Sequence, residues 1–161
     1  MTTDLDPSAL AELLPGTWVV SATNFPIWLS AERTNPALAY ELVAEDPLTL
    51  AVDVSYLTAE GEEKHIVGRD RWRHDSFTRR GKGWSRFAGS RWNVVGASDD
   101  RTILTVRFAH SRAIPAGIDV LVREGSAHPE LRAMIARSTE QFDLTPEDFA
   151  SLTWLAPIAR A

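Results

Sequence analysis

Apolar and polar side chains alternate most regularly between residues 48 and 56. In Leu48-Thr49-Leu50-Ala51-Val52-Asp53-Val54-Ser55-Tyr56, every even position is apolar and every odd position is small or polar. A period of two places alternate side chains on opposite faces of a β-strand, one buried and one in solvent. Ala59-Glu60-Gly61 is a turn signal, so we expect residues 64–74 to return as the next, antiparallel strand.

Further short strands are predicted at similar spacing along the chain. They are residues 18–23, 38–44, 77–80 continuing into 83–87, 90–97, 102–109 and 117–124. Turn signals at Gly81, Gly89, Asp99-Asp100 and Pro115-Ala116-Gly117 separate several of them. Eight strands with no helix between them must either close into a barrel or be covered by a second sheet.

Both ends of the chain are predicted to be helical. Ser8 is placed to cap a short helix over 9–14, which Pro15-Gly16 would end. Apolar residues at helical spacing after Pro129 predict a helix over 129–137. Thr145-Pro146-Glu147-Asp148 predicts another, with a cap, a proline at the first position and acids in the first turn. We see no domain boundary and expect one domain over residues 1–161.

The composition fits a protein that folds without covalent or metal cross-links. The chain has 161 residues, 44% of them apolar, and no cysteine, which excludes disulfides, thiol nucleophiles and cysteine zinc sites. Its first residues lack the basic and then apolar character of a signal peptide, and no apolar run approaches the ~18 residues of a membrane span. We expect a soluble, cytoplasmic protein.

Charge is distributed unevenly along the chain, whose net charge is −5. Residues 1–63 hold eleven acidic residues and one basic residue, whereas residues 64–91 hold nine basic residues and two acidic ones. The basic segment is either a solvated part of the sheet or a rim for an anionic ligand. Because the chain is acidic overall and has no recognisable nucleic-acid-binding motif, we expect no nucleic-acid partner.

Several short motifs resemble those of the lipocalins. Gly16-Thr17-Trp18 resembles the Gly-x-Trp signature, and Asn24-Phe25-Pro26-Ile27-Trp28 follows where lipocalins carry a loop over the barrel mouth. Asp99-Asp100-Arg101 lies where the family has Thr-Asp-Tyr, and only Asp100 matches. Val120-Leu121-Val122-Arg123 resembles the third motif, which ends in an arginine. Residues 142–155 resemble the C-terminal segment of bacterial-type lipocalins.

This resemblance implies an all-β fold, an eight-stranded antiparallel up-and-down β-barrel with a short N-terminal helix and C-terminal helices. It also implies that Trp18 plugs the closed end, with Arg123 over its indole in a cation–π contact worth about 1–2 kcal/mol. We expect both residues to be structural. The family includes carriers and enzymes on one barrel, so the resemblance does not choose between these functions.

An eight-stranded barrel is just wide enough inside for one small ligand. The alternation, the tryptophan content and the mouth loop suggest apolar and aromatic residues that line such a site. The candidate ligand-binding residues are Phe25, Trp28, Tyr40, Val52, Val54, Tyr56, Trp72, Trp92, Val106 and Phe108. The alternative is that these side chains only fill a packed core.

Weak candidates for catalysis are Asp70, His74 and His110. Asp70-x-Trp72-x-His74 would lie on one side of one strand, and His110 would extend the inner face of the seventh. Burial would raise the pKa of Asp70 unless Arg107 or an arginine of a neighbouring strand pairs with it. Such an acid near a histidine suits proton transfer.

The alternative for this strand is a register slipped by one residue. Arg69, Arg71 and Arg73 would then face inward, and Asp70 would face solvent. The alternation alone does not decide between the two registers.

No metal or cofactor is expected. His65, His74, His110 and His128 are dispersed without metal-binding spacing, and the glycine-rich opening of small haem-binding barrels is missing. No P-loop, dinucleotide fingerprint or Gly-x-Ser-x-Gly elbow occurs.

We therefore predict a barrel that binds a small hydrophobic or amphipathic molecule. The alternative is a barrel enzyme, an isomerase or cyclase acting on an apolar polyketide- or terpenoid-like substrate. Such an enzyme would be expected to hold a satisfied polar group deep in its cavity, whereas a carrier can work with an apolar one. The sequence leaves the oligomeric state open.

Overall fold

The computed structural model describes residues 5–81, 90–110 and 116–155. Its eight main strands are β1 (Gly16–Thr23), β2 (Thr34–Glu45), β3 (Leu48–Leu57), β4 (Glu63–Arg73), β5 (Ser76–Arg80), β6 (Arg91–Ala97), β7 (Ile103–Phe108) and β8 (Gly117–Arg123). The remaining elements are α1 (Pro7–Leu13), a 3₁₀ turn (Pro26–Trp28), α2 (Leu131–Ala136), α3 (Pro146–Ser151) and β9 (Thr153–Trp154).

The eight strands form a closed antiparallel ring. Each strand pairs with the next one along the chain, and β1 pairs with both β2 and β8, so that Trp18 lies opposite Leu38 on one side and Arg123 on the other. This confirms the predicted up-and-down barrel. The expected continuation of the fifth strand through 83–87 lies outside the described residues.

Up-and-down connectivity gives the barrel two different ends. The β1–β2 and β3–β4 connections lie at one end, which we call the open end, and β5 and β7 also finish there. At the opposite, closed end, α1 packs Leu10 and Leu14 into the core, both of them fully buried. The Asp6 carboxylate, and not the expected Ser8, caps α1 by accepting from Ala9 N at 2.8 Å. A proline favours the first helical position, and Pro7 therefore moves the cap to Asp6.

The inner face of the barrel follows the predicted alternation. Leu48, Leu50, Val52 and Val54 of β3 are at most 2% exposed. On β4, Asp70 is buried while Arg69 and Arg71 are exposed, which resolves the register that the sequence left open.

The C-terminal segment packs on the outside of the barrel. α2, α3 and β9 cover the outer faces of β1, β7 and β8 with a second apolar cluster, which includes Ile103, Val120, Ile135 and Phe142. Thr145 caps α3 as expected, and Asp148 completes a capping box with it. No helix in the described ranges is long and apolar enough to cross a membrane.

Candidate ligand-binding site

A buried ion pair lies inside the barrel. Arg79 Nε and Nη2 donate to the two carboxylate oxygens of Asp70, each at 2.8 Å, and the two side chains are 4% and 0% exposed. Arg79 Nη2 also donates to Tyr40 Oη at 3.2 Å. Asp70 and Arg79 are cross-strand partners of β4 and β5, so the register itself makes the pair. The sequence analysis offered two partners for Asp70, either Arg107 or an arginine of a neighbouring strand. The second of these is the one that pairs with it.

Electrostatics fixes the protonation of this network. Burial raises the pKa of Tyr40 despite the opposing charge of Arg79. Burial also acts to lower the pKa of Arg79, but the Asp70 charge and the contacts with Asp70 and Tyr40 together outweigh it, and the net shift is upward. The phenol therefore stays neutral and the guanidinium stays charged at ordinary pH. Because both Asp70 oxygens accept from Arg79, this carboxylate is poorly placed to take a substrate proton.

A second buried acid, Asp119, faces the interior from β8. It is 4% exposed and accepts from Thr23 Oγ1 at 2.6 Å. Burial raises its pKa to about 7, although the Thr23 hydrogen bond and the Arg79 charge act in the opposite direction. The carboxyl is therefore divided between its two protonation states near neutral pH. Sequence analysis missed Asp119. The signal that could have identified it is that it is a lone acid in an otherwise apolar strand.

Thr23 connects Asp119 to the loop at the open end. While donating to Asp119, Thr23 Oγ1 accepts from Phe25 N at 3.0 Å. The Phe25 ring then meets the edge of Phe108, with centroids 5.0 Å apart and planes at 85°. Gly117 makes room for it, because a Cβ at that position would overlap the Phe25 ring. The start of the loop is thus fastened to the barrel wall.

Aromatic side chains surround the open end of the barrel. Opposite the Phe25–Phe108 contact, the Trp28 ring lies 6.1 Å from that of Tyr56, and Arg33 Cζ lies 5.6 Å from the Tyr56 centroid. Trp28, Tyr56 and Phe108 are partly exposed, whereas Phe25 is 5% exposed. We call Phe25, Trp28, Tyr56 and Phe108 the aromatic mouth.

The other predicted ligand contacts lie deeper, in a packed interior. Trp72 is partly buried and packs edge-on against Phe77, with centroids 5.0 Å apart. The five remaining candidates are at most 5% exposed and belong to one core cluster: Tyr40, Val52, Val54, Trp92 and Val106. These five form a floor of side chains beneath the aromatic mouth.

Two polar atoms near this floor have no hydrogen-bond partner among the described residues. They are Trp92 Nε1 and Ser90 Oγ. Trp92 points into the core, and Ser90 precedes it by two residues, which places both on the same side of the chain. Buried groups of this kind normally bond to protein, water or ligand.

His74 and His110 do not lie on the inner wall. His74 lies in the turn after β4 with a φ of 62° and is exposed, and His110 is exposed two residues beyond the end of β7. Their expected inward placement is wrong because the strands end before the alternation reaches them. Arg107, the other expected partner of Asp70, lies on the outer wall and donates to Asp148 at 2.6 Å.

A polar groove runs along the outer wall beside Phe108. It encloses about 490 Å³ and is lined by residues that include Asp75, Arg91, Arg107 and Asp148. Its less exposed charges are paired, since Arg107 donates to Asp148 at 2.6 Å, whereas Arg91 and Asp75 lie 3.6 Å apart with both side chains largely exposed. The aromatic mouth therefore remains the better site for an apolar ligand.

Comparisons with known proteins identify the fold. No family model and no curated protein sequence matches the chain. Among solved structures, the siderocalin Ex-FABP aligns with a TM-score of 0.62 and 12% identity, over 92% of this chain and 96% of that one. Lobster apocrustacyanin A1 gives 0.64 and 6%, over 97% and 88%. The cockroach allergen Per a 4 gives 0.58 and 18%, over 85% and 83%.

Proposed function

We propose that this chain, which has a lipocalin-like fold, binds a small hydrophobic or amphipathic molecule at the aromatic mouth. The observation that carries the proposal is the set of four aromatic residues at one end of a closed barrel, three of them partly exposed. Rigid rings offer a large contact area at low entropic cost. A ligand that covers them removes apolar surface from water, at about 25 cal/mol per Å².

The packed floor determines how deep the ligand sits. Tyr40, Val52 and Trp92 are at most 5% exposed, so the apolar part of the ligand lies between the Trp28–Tyr56 and Phe25–Phe108 contacts, above the floor. The siderocalin Ex-FABP, which shares this fold, functions through dual ligand specificities. Ligand binding on this fold supports the same class of function here.

A charged side chain at the rim favours an amphipathic ligand. Arg33, beside Tyr56, adds a positive charge at the rim. A molecule with a flat apolar body and one oxygen acceptor fits this arrangement.

Fluorescence titration with an apolar probe tests the proposal. Trp28→Ala is expected to weaken probe binding about tenfold, or ~1.4 kcal/mol, and to leave the Tm nearly unchanged. Trp154→Ala is the matched control, because Trp154 packs against Phe149 on the outer surface. That variant is expected to keep the affinity of the wild type.

Two results of this titration would count against the proposal. If Trp28→Ala lowers the Tm and leaves the affinity unchanged, Trp28 only packs the loop. If no apolar probe binds, the barrel is a packed one without a ligand. Where a probe does bind, mass spectrometry of the molecules that co-purify with the protein identifies the natural ligand.

A second candidate, the isomerase or cyclase, is favoured by Asp119. A carboxyl with a pKa of about 7 inside an apolar barrel can exchange a proton with an apolar substrate near neutral pH. The test is to incubate the protein with polyene and polyketide-like compounds and to analyse the products by mass spectrometry. Conversion that Asp119→Asn abolishes would support the enzyme, and binding without conversion would support the carrier.

A further inference from the structure

The outer surface of β4, β5 and β6 carries a concentration of arginines. Asp70 points into the barrel, so the alternate residues Arg69, Arg71 and Arg73 point outward along β4. Arg80 on β5 and Arg91 on β6 lie on the same outer surface. All five are exposed. We call these five residues the arginine face.

Strand register brings these charges close together. Arg69 is the direct antiparallel partner of Arg80, and Arg71 lies opposite Thr78, which in turn lies opposite Arg91. Directly opposite Cα atoms are about 4.5–5.5 Å apart, and alternate residues of a strand about 6.8 Å. Like charges that face each other across a ladder destabilise the sheet. The fold therefore gains no stability from placing Arg69 beside Arg80.

The chain itself neutralises little of this charge. Arg91 lies 3.6 Å from Asp75, and both side chains are largely exposed, at 60% and 83%. Across residues 5–81, 90–110 and 116–155, no carboxylate lies within 4.0 Å of the other four arginines. By contrast, Arg79 and Arg107 both have carboxylate partners.

The positions directly beside Arg69 and Arg71 on β3 are small and uncharged. The β3 residues opposite Arg69 and Arg71 are Ala51 and Thr49, which are small. Val67 continues the outer side of β4 and is 58% exposed. Asp53 lies opposite Val67 and Glu41 lies opposite Ala51, so the arginine face is a patch of one charge sign with acidic side chains along its β3 side.

We propose that the arginine face docks the barrel on a lipid bilayer that contains anionic phospholipids. A guanidinium pairs with phosphate through two parallel hydrogen bonds, which a lysine cannot do. Each arginine near an anionic leaflet adds about 1 kcal/mol, or about fivefold in partition. The exposed Val67 side chain suits the headgroup boundary.

The shape of the molecule favours a bilayer over duplex DNA. A planar bilayer engages the side of the barrel on which the five arginines lie. Readout of duplex DNA requires a helix or ribbon that enters a groove, and the arginine face is the side of a sheet. The docking does not depend on the proposed ligand, so either inference can fail without the other.

Co-sedimentation with vesicles tests the docking. The wild type is expected to sediment with equal parts phosphatidylserine and phosphatidylcholine but not with phosphatidylcholine alone, and to be released by high salt. Arg69→Gln/Arg80→Gln is expected to lower the partition coefficient about 25-fold at low salt. Arg132→Gln/Arg137→Gln, which removes two exposed arginines of the α2 region, is the matched control and is expected to bind as the wild type does.

Three results would overturn the docking proposal. The first is that the wild type binds vesicles without a preference for anionic lipid. The second is that the two double variants lose vesicle binding to the same extent. The third is that the wild type binds an oligonucleotide but not vesicles. The Tm serves as the folding control, and removing the Arg69–Arg80 repulsion is not expected to lower it. If that variant does not fold, Arg71→Gln/Arg73→Gln provides the same comparison.

Discussion

Arg123 lies over the indole ring of Trp18, with its Cζ 4.0 Å from the ring centroid. Its guanidinium also donates to Leu13 O and Pro15 O at 2.6 and 2.7 Å, while Trp18 Nε1 donates to Leu14 O at 3.0 Å. The two side chains therefore satisfy the carbonyls of Leu13, Leu14 and Pro15, at and just after the end of α1, and hold that helix against the closed end. The stack that the lipocalin resemblance implied is confirmed.

Replacing Trp18 by Ala is expected to destabilise the fold by about 3–5 kcal/mol, because it leaves a cavity among fully buried residues. Arg123→Ala is expected to cost less, since its side chain is partly exposed. Urea denaturation measures both, and the affinity for an apolar probe should not change beyond the fraction unfolded. A Trp18→Ala protein with normal stability and lost probe binding would contradict this structural role.

The buried pair of Asp70 and Arg79 predicts strong non-additivity. Asp70→Leu and Arg79→Met are each expected to cost about 3–5 kcal/mol, because each leaves an uncompensated charge inside the barrel. Asp70→Leu/Arg79→Met removes both charges and is expected to recover most of that loss. Denaturant titration of the four proteins gives the coupling free energy. Additive effects of the single and double changes would show that the two side chains do not depend on each other.

Gly96 sets the distance between the barrel and the C-terminal segment. A Cβ there would lie 2.6 Å from Phe142 Cα and 2.8 Å from Gln141 O, and backbone cannot move aside as a side-chain tip can. Gly96→Ala is expected to cost about 1–3 kcal/mol and to raise amide exchange over residues 138–144.

A glycine in open space provides the comparison. Gly125 has a φ of 90°, and a Cβ there meets nothing within 4 Å. Gly125→Ala is expected to cost about 1–2 kcal/mol from backbone strain alone and to leave exchange over residues 138–144 unchanged. Equal exchange in the two variants would contradict the close approach at Gly96.

The parts of the fold that sequence analysis predicted well are those set by local pattern. Alternation over 48–56 identified the inner face of β3, and the residues at 145–148 identified the start of α3. The cap of α1 was misassigned because Asp6 and Ser8 are both good capping residues. Only the position of Pro7 distinguishes them.

The parts of the site that the sequence did not reveal depend on register and on where strands end. Pairing of Asp70 with Arg79 follows from the β4–β5 register, which alternation alone does not give. His74 and His110 continue a period of two beyond the last paired residues of their strands. The alternation therefore predicted an inward position for two residues that are no longer in a strand. Asp119 was missed because its polarity suggests an outward position, whereas β8 is covered on both faces.

Protonation of Asp119 predicts a stability that decreases as the pH rises through neutrality. The pKa of the carboxyl is about 7 in the folded chain and ~3.9 in an unfolded one. Between these values the folded state keeps a proton that the unfolded state has released, so stability is fully present below about pH 4 and is lost progressively towards pH 7 and above. At ~1.4 kcal/mol per pKa unit, the total loss is about 4 kcal/mol.

Urea denaturation at a series of pH values measures this dependence, and two variants isolate it. Asp119→Asn keeps a hydrogen-bond acceptor for Thr23 but cannot ionise, so its stability should change little between about pH 5 and pH 8 relative to the wild type. Thr23→Val removes the hydrogen bond that favours the ionised form, so the midpoint of the loss should move to higher pH. Burial acts to raise the pKa of Asp148, but the hydrogen bonds from Arg107 and Thr145 and the Arg107 charge together outweigh it, and the net shift is downward. Asp148 therefore ionises below this pH range. Parallel pH profiles of the wild type and Asp119→Asn would show that another group titrates.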